Sequence, residues 1–100
     1  MKCFVTFRLK PDLTPDDYED WFRRENLPAV RRMTTITSYQ VWRVVGSMEG
    51  DPPQYLEAME IDDRQSFEDE IEALPEMAAM LDGWYQQVAD QVVFYAEEVI

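Results

Sequence analysis

The sequence predicts an α+β fold: a single four-stranded antiparallel sheet with helices on one face. Three observations carry this expectation. Four stretches are rich in β-branched and aromatic residues, two helix-start signals stand at Thr14-Pro15 and around Pro75, and the elements alternate in the order β-α-β-β-α-β. That order is the ferredoxin-like pattern. The chain has 100 residues, 46% of them hydrophobic and 13% aromatic, enough for one packed domain over residues 1–100 but not for two.

The first strand spans Lys2 to Leu9, where Phe4, Val5 and Phe7 make both faces apolar. Thr14 then offers an N-cap hydroxyl, Pro15 suits the first helical position, and Asp16 and Asp17 favour the positive helix end. Tyr18, Trp21 and Phe22 recur at helical spacing until Pro28, which ends or kinks the helix. Ile36 to Val45 reads as the second strand. The turn-forming run Gly46 to Pro53 leads into a returning strand, Tyr55 to Ile61. Asp62 or Asp63 caps a helix through Phe67, Ile71 and Leu74, and Pro75 opens another through Met77, Met80, Leu81, Trp84 and Val88. Val92 to Val99 is expected to close the chain as the fourth strand.

Helices on one side leave the other sheet face bare. Aromatic residues there call for a cover, so two copies are expected to pack face to face as a homodimer.

Composition narrows the chemistry. The net charge is −12, and it is uneven: residues 1–50 hold eight basic and seven acidic side chains, residues 51–100 only Arg64 against fourteen acids. Such a surface repels phosphate backbones and anionic lipid, so neither nucleic acid nor membrane is an expected partner. The N-terminal residues offer no signal-peptide core, and a lone Cys3 fits a reducing, cytoplasmic setting. Histidine is absent, which excludes Ser-His-Asp and Cys-His catalysis and any His-ligated metal or haem.

Strand alternation suggests a ligand space. If Cys3, Val5 and Phe7 face the helices, Phe4, Thr6 and Arg8 face the partner sheet, joined there by Gln40 and Trp42. Trp42 would stack on a flat aromatic ligand. From the third strand, Tyr55, Glu57 and Met59 form one face and are taken as further lining. Glu57, set between apolar neighbours, would be desolvated and could act as general acid or base; otherwise it is a solvated carboxylate or the partner of a strand arginine. Arg8 or Tyr95 would steady negative charge on a substrate oxygen, although Arg8 could equally serve a dimer salt bridge and Tyr95 the core. The basic cluster Arg23, Arg24, Arg31 and Arg32 either docks an anion or answers the acids of the second half.

Four segments carry a resemblance: Arg8-Leu9-Lys10-Pro11, the run from Trp21 to Arg32 with Asn26-Leu27-Pro28-Ala29-Val30-Arg31, Ser38-Tyr39-Gln40-Val41-Trp42-Arg43-Val44, and Phe94-Tyr95-Ala96-Glu97-Glu98. Together, over nearly the whole chain, these segments resemble the dimeric α+β barrel superfamily, and within it the RedY-like or HapK-like proteins of prodiginine and related pathways. The resemblance implies a cofactor-free protein of specialised metabolism. It also implies a pyrrole-, indole- or polyketide-like ligand and help with its condensation or cyclisation. A binding or carrier dimer that sequesters such an intermediate, and a cofactor-free monooxygenase, are the alternatives.

Overall fold

In a computed structural model describing residues 1–100, the chain forms a four-stranded antiparallel sheet in the order β2-β3-β1-β4, with every helix on one side. Strand β1 is Lys2–Leu9, β2 Ile36–Arg43, β3 Tyr55–Ile61 and β4 Val88–Ala96. Helices α1 (Pro15–Trp21) and α2 (Leu27–Arg31) flank a π-helical turn, Phe22–Asn26; α3 is Arg64–Ala73 and α4 Pro75–Tyr85. This is the ferredoxin-like fold. No helix is long and apolar enough to cross a membrane.

Local chemistry accounts for most boundaries. Thr14 caps α1 by accepting a 3.2 Å hydrogen bond from the Asp17 amide, and Asp63 caps α3 by accepting one of 2.8 Å from the Ser66 amide. Pro15 and Pro75 sit at helix starts, where a missing N–H costs nothing. Pro28 does not end the first helical run, which continues to Arg31. A proline ring clashes with the carbonyl four residues before it, and the turn ahead of Pro28 widens instead: the Leu27 amide bonds back to Phe22, five residues away.

Three strand boundaries differ from expectation. The fourth strand starts at Val88 rather than Val92, because Val88 pairs with Leu9 instead of extending the stripe of α4. Asp90 adopts a positive φ of 54° and the register slips between Thr6 and Arg8, so this part of β4 lacks a two-residue period. The second strand ends at Arg43, two residues early, and the fourth at Ala96, three residues early.

Register decides the faces. Cys3, Val5 and Phe7 pair with Met59, Glu57 and Tyr55, all buried beneath the helices, while Phe4 and Thr6 pair with Ala58 and Leu56 on the opposite face. At one end of the helix–sheet layer the Phe7 ring meets Tyr55, Tyr18 and Trp84 at centroid distances of 5.3, 5.5 and 5.3 Å. Gly83 lets Trp21 lie close against α4, since a Cβ there would sit 2.9 Å from the indole. On the bare face, Phe4 stacks on Phe94 at 5.5 Å, and Trp42 and Phe94 are 45% and 41% exposed.

Candidate functional site

The middle of the helix–sheet layer is not filled. A cavity of about 310 Å³ lies between β1, β3 and β4 below and the helices above, and thirteen of its fifteen lining residues are hydrophobic. Val5, Met59, Phe67, Met77 and Trp84 supply much of the wall, and Tyr85 and Val93, both about half exposed, frame its opening. The two remaining residues are Asn26, carried by the π-helical turn, and Glu57, in the middle of β3.

Glu57 is 5% exposed. Its Oε1 accepts a 2.9 Å hydrogen bond from the Tyr39 hydroxyl, while Oε2 is buried without a partner. Burial pushes its carboxyl up to about 7, and the Tyr39 bond offsets only part of that. The group therefore exchanges its proton near neutrality, the property a general acid or base requires. Tyr39 is shifted in the same sense: burial first, then the Glu57 charge, keeps its phenol protonated well beyond the usual range.

Asn26 is 3% exposed and its Oδ1 has no partner; the same is true of the Tyr18 hydroxyl. Burial and then the Glu57 charge drive the Tyr18 phenol far up, and the nearby side-chain N–H groups of Trp84 and Asn26, though not hydrogen-bonded to it, act against them. The apolar space thus has two polar side chains on its wall, Glu57 from the sheet, hydrogen-bonded by Tyr39, and Asn26 from the helix layer. Such a space suits a flat, neutral molecule with a few polar atoms.

The residues singled out from the sequence divide between two faces. Glu57 and Met59 line the cavity. Tyr55 is buried in the same layer, but its hydroxyl donates to Glu19 at 2.7 Å and not into the cavity. Tyr95 pairs with Cys3 on the helix side and donates to Glu68 at 2.7 Å, with the Arg64 guanidinium 4.7 Å above its ring. Burial and Glu68 push that phenol up to about 12. Phe4, Thr6, Gln40 and Trp42 belong to the bare face, as the parity of β1 and β2 led us to expect. Grouping them with Tyr55, Glu57 and Met59 in one inter-sheet space was wrong, because the pairing of Val5 with Glu57 turns that carboxylate toward the helices.

Arg8 is committed to the carbonyl of Pro52 and to Asp51 at 3.0 Å, and so ties down the loop between β2 and β3. Of the basic cluster, Arg23 and Arg24 pair with Glu19, Asp20 and Glu25 beside them, and only Arg32 reaches an acid of the second half, Glu76 at 3.8 Å. Asn26 and Tyr18 went unremarked as site residues, whereas Tyr39, a candidate donor to a substrate oxygen, donates to Glu57. A usable signal for Asn26 was its position two residues before a proline inside a helical run.

Comparison with known proteins decides the lineage. The family model for the REDY-like protein HapK matches residues 1–100. The chain belongs to this HapK family. Among solved structures, HapK from Hahella chejuensis superposes with a TM-score of 0.72 at 19% identity, covering 97% of this chain and 93% of that one. At3g17210 from Arabidopsis thaliana gives 0.80 at 13% identity, covering 99% and 96%. A dimeric ferredoxin-like protein of unknown function from Thermobifida fusca gives 0.71 at 21% identity, covering 93% and 85%. No curated protein matches the sequence.

Proposed function

We propose that this HapK-family protein is a cofactor-independent enzyme that binds a planar aromatic or polyketide-like intermediate in the sheet–helix cavity. There it promotes condensation or ring closure by proton transfer through Glu57. The observation that carries this reading is the free Oε2 of a buried carboxylate opening on an apolar cavity of about 310 Å³. In such a reaction Glu57 removes a proton from a carbon or pyrrole-type nitrogen. The resulting nucleophile adds to a carbonyl carbon of the same or a second molecule, and the carbonyl oxygen takes the proton back. Loss of water then completes the new bond, with no net oxidation. Holding the reacting atoms together in a dry cavity supplies the rest of the acceleration.

The reading includes a homodimer through the bare sheet face. Phe4, Trp42, Val92 and Phe94 would be covered there, and the relative from Thermobifida fusca is described as dimeric. The cavity lies behind the sheet, so each protomer keeps its own site.

The test uses 5-nitrobenzisoxazole, a flat bicycle whose ring opens when a base removes its carbon-bound proton and the electrons pass to the departing oxygen. Its opening should follow the ionised carboxylate, rising with pH to a plateau with a midpoint of about 7. Glu57→Gln should lower the rate roughly 100-fold while the fold persists. An unchanged rate in Glu57→Gln would remove Glu57 as proton carrier. Stoichiometric binding with no turnover would favour the carrier reading.

A further inference from the structure

We infer that Tyr39 is a positioning residue of this site: by donating to Oε1 of Glu57 it fixes the exchangeable proton on Oε2, the oxygen left free. This role rests on Glu57 being the proton carrier, and it decides which of the two carboxyl oxygens reacts.

Register brings the two side chains together. Tyr39 pairs with Met59 across β2 and β3, which makes it the diagonal neighbour of Glu57 on the helix side of the sheet, within reach of a long side chain. Its ring lies against Phe22, the first residue of the π-helical turn, at a centroid distance of 6.3 Å. The hydroxyl at the end of that ring donates to Oε1 at 2.9 Å, whereas Oε2 is buried without a partner. One neighbour thus makes the two oxygens of the carboxyl unequal.

Inequality has a chemical consequence. A neutral carboxyl carries its proton on one oxygen and leaves the other, the carbonyl oxygen, as the better acceptor. A phenol that donates to Oε1 therefore selects the form with the proton on Oε2. When that proton leaves, the same hydrogen bond meets a charged acceptor and strengthens. Tyr39 is the one neighbour that favours the ionised form against the burial that opposes it. Two other titratable groups sense the Glu57 charge, Cys3 from β1 and Tyr18 from α1, and burial keeps both protonated. No helix and no strand places a second charged side chain on the cavity wall; the Asn26 amide is neutral, and the Tyr85 phenol of α4 stands at the mouth. Selection of the reacting oxygen and support of its charge thus fall to a single hydroxyl.

Tyr39→Phe removes the donor and keeps the ring. Infrared spectroscopy follows the carbonyl band of the protonated carboxyl, assigned by its absence in Glu57→Gln, and the opening of 5-nitrobenzisoxazole is measured alongside, both from pH 5 to pH 10. At pH 5 the band should move to higher frequency in the variant, because the carbonyl oxygen has lost its donor. Its titration midpoint should rise by roughly one unit, as expected for the loss of one hydrogen bond to a charged oxygen, and the rate of the variant relative to the wild type should climb roughly tenfold between pH 6 and pH 10. A band that keeps its frequency would place the proton on Oε1 and overturn the inference. An unmoved midpoint, with the rate lowered by one factor at every pH, would reduce Tyr39 to a structural part and leave Glu57 as proton carrier. A band and midpoint that both move while neither protein opens the benzisoxazole would sustain the proton placement and sink the catalytic reading instead. Should Tyr39→Phe not fold, 3-fluorotyrosine at position 39 keeps the ring and strengthens the donor; the midpoint should then fall, and an unmoved one would overturn the role of Tyr39.

Discussion

Glu57 occupies a place that disfavours its charge, and this leaves a signature in stability. Its carboxyl stands at about 7 in the folded chain against an ordinary 4.5. Below about pH 4.5 both states are protonated and Glu57 contributes no difference. Between 4.5 and 7 the folded chain keeps a proton that the unfolded chain has released, so stability falls as pH rises through this window. Above it the deficit is about 3 kcal/mol. Urea denaturation of the wild type and Glu57→Gln at pH 5 and pH 8 should show the variant gaining on the wild type by that order between the two. A difference independent of pH would mean that the carboxylate is solvated. Glu57 could be singled out in the sequence because Leu56, Ala58 and Met59 crowd it. The layer it faces could not, since alternation along β3 gives two faces without saying which is covered; only the pairing with Val5 tells them apart. A buried asparagine carries no such mark, and Asn26 was passed over.

At the scale of elements, β1 and β3 have the bounds read from their β-branched and aromatic runs, and they pair with each other without interruption from Lys2–Glu60 to Phe7–Tyr55. Strand β4 begins earlier than it reads, since Val88 also completes a helical stripe and the bulge at Asp90 hides the period that would have corrected it. The π turn was illegible for a related reason: Tyr18, Trp21 and Phe22 fit a 3.6-residue repeat up to the point where the turn widens. One join between elements had no signal at all. Glu70 of α3 accepts hydrogen bonds from both the amides and the hydroxyls of Thr34 and Thr35, at 2.6 to 3.0 Å. Partial burial opposes the charge there, but these four bonds outweigh it and hold the carboxyl down to about 2. Its contribution is present above 4.5 and disappears as pH falls toward 2. Glu70→Ala should cost about 2 kcal/mol at pH 7 in chemical denaturation and much less at pH 2.5. An equal loss at both would assign the effect to packing.

At the scale of the whole molecule, the expected sheet, helix placement and HapK kinship stand, whereas the cavity proposed to hold the ligand lies on the helix side of the sheet, opposite the inter-sheet space first expected. The bare face remains the surface proposed for pairing. Phe94→Glu, placed where Phe4 and Phe94 stack, should shift the protein from dimer to monomer in light scattering at micromolar concentration. A monomeric wild type, or a variant that stays dimeric, would count against that surface. The location of the cavity carries a consequence for stoichiometry. A chamber closed by two sheets would be shared, and one occupant would exclude or recruit another across the symmetry axis. A chamber between sheet and helices belongs to a single chain, so a pair of chains takes two ligands, and titration should follow a simple hyperbola with a Hill coefficient of about 1.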